Sequence, residues 1–126
     1  MSARILVVDD NIPNLELALY LLRASGFEAD AAIDGPSGLA ALRKDSYDAV
    51  LVDVRMPGMD GYEFAKRVRT EGLHAATLVA VTALAMAEDR RRILASGFNG
   101  YIAKPIEPTT FANDVARLCN GHDSRR

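Results

Sequence analysis

The sequence is most informative first in what it lacks. It has one cysteine, Cys119, so an intramolecular disulfide and a cysteine-based zinc site are both excluded. It has no excess of basic charge: 15 Lys and Arg stand against 17 Asp and Glu, for a net charge of -2. A nucleic-acid module held by a cationic field is therefore not expected. No apolar stretch is long enough to cross a bilayer. The first apolar run, Ile5-Leu6-Val7-Val8, meets Asp9-Asp10 at once, which is not the pattern of a secretory leader. No internal repeat, low-complexity tract or linker interrupts the 126 residues. What remains is one domain of ordinary composition, large enough to bury a full core and expected in the cytoplasm. Residues 1–121 are read as that domain and residues 122–126 as a short polar tail.

Short β-branched runs alternate with longer helical patterns. Strands are expected at Arg4 to Val8, Phe27 to Ile33, Ala49 to Val54, Leu78 to Val81 and Asn99 to Ala103. Their apolar runs are nearly continuous, as suits strands covered on both faces of a parallel sheet. Helices are expected at Asn14 to Ser25, Pro36 to Lys44, Tyr62 to Thr70, Met86 to Ser96 and Thr109 to Asn120. Gly26, Gly97 and Gly121 follow three of them, where a left-handed residue ends a helix well. Asp60 and Glu63 have the spacing of a capping box. The order βαβαβαβαβα predicts an α/β three-layer sandwich. Five parallel strands in this length favour the flavodoxin-like order 2-1-3-4-5.

In such sheets ligands bind beyond the carboxyl ends of the strands, where strand order reverses. Here that point lies between the first and third strands, which end in Asp9-Asp10 and Asp53. Neighbouring strands run about 4.8 Å apart, so the three carboxylates should converge and repel one another. A raised pKa or a bound cation relieves such repulsion, and an all-oxygen set favours Mg²⁺. Thr82 and Lys104 end the fourth and fifth strands with a hydroxyl and an ammonium suited to an anion. Together these groups form a phosphoryl-transfer set. No GxxxxGK[ST] loop is present to cradle a nucleotide, and no Ser-His-Asp set. A carboxylate is left as the nucleophile, as in proteins that pass through an aspartyl phosphate.

Four segments carry a family resemblance: ILVVDDN (5 to 11), DAVLVDVRMPGMDGYEF (48 to 64), VAVTALAM (79 to 86) and GYIAKPI (100 to 106). In this order and spacing the chain resembles the receiver domains of two-component response regulators. It looks most like those of hybrid histidine kinases and of stand-alone DivK-type regulators. The resemblance implies that Asp53 accepts a phosphoryl group from a phosphohistidine on a histidine kinase or histidine phosphotransfer protein. It implies that Asp9, Asp10, Asp53 and the backbone carbonyl of Arg55 hold Mg²⁺, and that Lys104 pairs with the phosphoryl oxygens. It further implies that Thr82 moves toward the phosphate and Tyr101 turns inward behind it, and that the Lys104-Pro105 bond is cis. Output would then pass to a protein target through the fourth helix, fifth strand and fifth helix, near Tyr101 and Phe111. The chain is thus read as a single-domain phosphorelay regulator, a phosphoacceptor rather than an enzyme, with neither nucleic acid nor membrane as partner.

Two other readings stay beside it. An aspartyl-phosphate phosphatase commonly has a second acid two residues after its nucleophile, and Arg55 stands there. A degenerate receiver would have lost its acceptor or its lysine, and both residue types are present. The first helix adds one more expectation. Leu15, Ala18, Leu19 and Leu22 make a core stripe at helical spacing. Leu17, Tyr20 and Leu21 lie on other faces, and clustered exposed apolar groups mark interaction sites. They are read as a docking patch for the helical bundle that carries the donor histidine.

Overall fold

A computed structural model describes residues 3–73, 75–83 and 87–124. Five strands alternate with five helices: β1 (Arg4–Val8), α1 (Ile12–Ala24), β2 (Glu28–Ala32), α2 (Gly35–Lys44), β3 (Tyr47–Asp53), α3 (Gly61–Thr70), β4 (Ala75–Thr82), α4 (Ala87–Ala95), β5 (Gly100–Ala103) and α5 (Phe111–Ser124). The strands form one parallel sheet in the order β2-β1-β3-β4-β5. This is the flavodoxin-like arrangement expected from the sequence.

The continuous apolar runs have the predicted cause. Because successive side chains point to opposite faces, each central strand feeds two cores. Leu6 and Val8, Val50 and Val52, and Leu78 and Ala80 pack beneath α2, α3 and α4, with Leu39, Phe64 and Ile93 from those helices. Ile5 and Val7, Ala49 and Leu51, and Val79 and Val81 pack beneath α1 and α5, with Leu15, Leu22, Phe111 and Val115. The central strands are therefore largely apolar on both faces, whereas the edge strand β2 carries an exposed Asp30 at its middle.

Helix boundaries follow capping chemistry that hydrophobic periodicity does not report. The α1 helix starts at Ile12, two residues earlier than expected, because the Asn11 side chain accepts from the Asn14 N–H. Asp34 and Asp60 cap α2 and α3 in the same way, accepting from the N–H groups of Ser37 and Glu63 at 2.8 and 2.9 Å. Such caps satisfy donors that have no partner within the helix. Gly26 and Gly97 take positive φ at 94° and 103°, as predicted. The N–H groups of Phe27 and Phe98 then reach back to the carbonyls of Leu22 and Ile93, the Schellman closure. Gly121 does not act this way. The α5 helix runs through it to Ser124, so most of the expected polar tail is helical. Met86, the expected start of α4, lies outside the described residues.

Candidate functional site

The acids gather where the sheet order reverses. Val8 is paired with Val52, which places the residues just beyond β1 against the end of β3. One carboxylate oxygen from each of Asp9, Asp10 and Asp53 lies within 4.8 Å of the others. Asp9 and Asp53 are buried, at 4% and 6% exposure, while Asp10 is exposed. Each buried acid is held by a backbone donor two residues on. Asp9 Oδ1 accepts from Asn11 N–H at 2.9 Å, and Asp53 Oδ1 accepts from Arg55 N–H at 3.1 Å. The other Asp53 oxygen, Oδ2, meets the Lys104 ammonium at 3.2 Å.

Lys104 is delivered by backbone pairing. Its N–H donates to the Thr82 carbonyl at 2.8 Å, tying the end of β5 to the end of β4. The Lys104-Pro105 bond is cis. A hollow of about 350 Å³ opens over these groups, lined by Asp10, Asp53, Arg55, Thr82 and Lys104. Asn11, Asn14 and Ala83 complete its wall. Sequence reasoning passed over the two asparagines. Their spacing of three along a helix start, with Asn11 as the cap, is the signal that places both on the rim.

The electrostatics are those of an incomplete charge balance. Three carboxylates and one ammonium leave two negative charges, which one divalent cation neutralises. The donors are hard oxygens with open space beside them, so the residues fit a hard cation such as Mg²⁺. Burial, reinforced by the negative charge of Asp53 and only partly offset by the Asn11 N–H, pushes Asp9 up to about 6 from 3.8. A carboxyl raised in the folded state contributes stability below its unfolded pKa, and that contribution is lost as pH rises through the folded pKa. Metal-free protein should therefore carry the cost of ionised Asp9 above about pH 6. Asp9→Asn is expected to stabilise it by about 1–3 kcal/mol near neutral pH, and hardly at all near pH 4. Urea unfolding in EDTA at the two pH values checks this, and an equal effect at both would contradict it.

The remaining predicted residues fall elsewhere. Tyr101 is half-buried on β5, packed against the core beneath α4, and lines a separate hollow with Phe111 and Pro105. On α1, Tyr20 is 69% exposed and Leu17 is half-buried. Leu21, half-buried like Leu17, packs against the core between the sheet and α1 and α5. None of the three lines the acid pocket.

A parallel five-stranded sheet with three acids and a lysine at its switch point defines a class of flavodoxin-like α/β domains with a charged pocket at the sheet edge. Comparison with known proteins makes the class specific. Residues 5–116 match the family model of the response regulator receiver domain, and the chain belongs to that family. It is 38% identical over 120 residues to the sensor protein GacS of Pseudomonas syringae pv. syringae, covering 92% of this chain and 13% of that protein. It is 41% identical over 108 residues to the response regulator PleD of Caulobacter vibrioides, covering 85% of this chain and 24% of that one. The chain thus spans less than a quarter of either relative. Among solved structures, chemotaxis protein CheY4 of Vibrio cholerae superimposes with a TM-score of 0.88 at 31% identity, covering 94% of this chain and 99% of that one. The family belongs to two-component signalling, and its members interact with histidine kinases or phosphotransfer proteins. Among the described residues, no helix is long and apolar enough to cross a membrane.

Proposed function

We propose that the chain accepts a phosphoryl group from a phosphohistidine onto Asp53, with Mg²⁺ bound, and thereby changes its affinity for protein partners in the cytoplasm. The observation that carries this reading is the placement of Asp53 itself. It is the one acid of the three that is both buried against a backbone donor and paired with Lys104. In the transfer, an Asp53 oxygen forms the new P–O bond while the P–N bond breaks and its electron pair stays with the departing imidazole. The Arg55 N–H keeps the carboxylate oriented. The Lys104 ammonium, 3.2 Å from Asp53 Oδ2, is within reach of the oxygens that arrive with phosphorus. Asp9, Asp10, Asp53 and the Arg55 carbonyl would hold the cation, which supplies neutralisation of charge on the phosphoryl oxygens. Positioning and electrostatics of this kind account for most of the acceleration in phosphoryl transfer. Thr82, buried at the pocket wall at 2% exposure, is the residue nearest in kind to follow the new anion. Tyr101, on the neighbouring strand β5, would take up the space it leaves, and so alter the surface formed by α4, β5 and α5.

Two measurements test this. Acetyl phosphate with Mg²⁺ should add one phosphoryl group to the intact mass, and EDTA should prevent it; a folded protein that gains no mass would overturn the proposal. The docking reading keeps Leu17 and Tyr20 and omits Leu21. Changing Leu17 and Tyr20 to serine should slow transfer from a phosphohistidine donor several-fold and leave labelling by acetyl phosphate intact. Equal slowing with both donors would remove the patch from the proposal.

A further inference from the structure

The face of the sheet covered by α3 and α4 carries a groove that the acid pocket leaves unused. It consists of two adjoining hollows, of about 530 and 780 Å³, that share Asp60, Tyr62 and Arg92. Arg55 lies at one end and Lys66 with Arg67 at the other. Tyr62 stands at the junction, its ring beneath the Arg92 guanidinium at 3.9 Å from the centroid. Its hydroxyl is buried and has no hydrogen-bond partner among the described residues. A buried donor left open costs free energy until an acceptor reaches it.

The charges are uneven. In a chain of net charge -2, this strip sets four cations against Asp60 and Glu63. Asp60 is already occupied in capping α3. Arg67 is satisfied by Glu71 at 3.1 Å, but the Arg55 guanidinium and the Lys66 ammonium meet no acid among the described residues. The positive charge is thus spaced along a shallow channel rather than focused at one point, as a linear polyanion requires and a compact anion does not.

We propose that this groove binds an extended acidic peptide segment of a partner protein. From Asp60 to Thr70 the α3 helix spans ~15 Å, the length of about five extended residues. Acidic side chains at one end meet Arg55 and those at the other meet Lys66, while midway Arg92 faces the segment and a main-chain carbonyl accepts from the Tyr62 hydroxyl. The surface is distinct from the hollow beside Tyr101 and Phe111.

The test is fluorescence anisotropy with the whole chain and a labelled, capped pentaglutamate. Wild type should bind, more weakly as salt is added. The Lys66→Glu, Arg92→Gln double variant should bind about tenfold more weakly. Lys66→Glu alone changes an exposed helical position and should give a several-fold loss with an unchanged melting temperature. Arg117→Glu, on α5 across the sheet, makes the same net charge change as Lys66→Glu and should leave binding within about twofold of wild type. Equal weakening by Arg117→Glu would reduce the effect to overall charge and overturn the proposal. So would undiminished binding by the double variant, no binding by wild type, or displacement of the peptide by pyrophosphate at lower concentration, which would assign the groove to a small phosphate ligand.

Discussion

Asp53→Asn should abolish phosphoryl incorporation from acetyl phosphate, with no adduct detectable by intact mass under conditions that label wild type fully. The substitution keeps the shape of the side chain and one oxygen to accept the Arg55 N–H, now 3.1 Å from Oδ1. It removes the anionic nucleophile, since a neutral amide oxygen is a far poorer one. It also removes the partner of Lys104, whose ammonium is 3.2 Å from Oδ2, and one of three clustered negative charges. These last two effects oppose each other: lost attraction costs stability, relieved repulsion restores it. The net change in folding free energy should be within about 1 kcal/mol, so loss of labelling reads chemistry and not unfolding. A persistent adduct in a folded Asp53→Asn protein would move the acceptor to Asp9 or Asp10.

Gly61→Ala should destabilise the fold by about 1–3 kcal/mol and lower the melting temperature by several degrees. Helix propensity predicts the reverse, since alanine is favoured over glycine in a helix by about 1 kcal/mol. Packing decides the sign. A Cβ on Gly61 would stand 2.7 Å from Val54 Cα and 2.9 Å from the Asp53 carbonyl oxygen. Both are backbone atoms of the acceptor segment, and neither can rotate away. The Gly61 N–H also donates to the Val54 carbonyl at 2.9 Å. The chain returns through Met56-Pro57-Gly58 to press the start of α3 onto the end of β3, and Gly58 takes φ of 76° to allow it. Displacing Gly61 therefore displaces Asp53, and phosphoryl uptake should slow along with the loss of stability. Thermal melts in EDTA measure the first effect and labelling rates the second. An unchanged or raised melting temperature would show that the contact yields more cheaply than backbone should.

The sheet order was legible because its cause is local and repeated. Short β-branched apolar runs without alternation suit strands covered on both faces, and helical segments between them favour parallel pairing. Asp9, Asp10 and Asp53 were legible for a related reason: a polar group at the end of an apolar strand is already placed in space once the strand order is known. Helix starts were less so. Asn11, Asp34 and Asp60 decide them through single hydrogen bonds, which a count of apolar positions does not register. Leu21 is partly drawn into the core, because an ideal wheel assigns one face to each residue, whereas the apolar cluster between the sheet and α5 takes in a wider arc of α1.

By itself the sequence determined the layers, the strand order and which residue types meet at the switch point, because those follow from periodicity and chain connectivity. Only the tertiary structure decided their inequality. Asp53 is the acid paired with lysine, Asp9 is the acid burdened by burial, and Asp10 is the one open to solvent. Those distinctions depend on distances of a few ångströms between segments far apart in the chain, and on how much water each group loses. The absence of excess basic charge holds for the chain as a whole, but not for the strip between α3 and α4. Net charge is a sum over the whole molecule, and recognition depends on where the fold places each part of it.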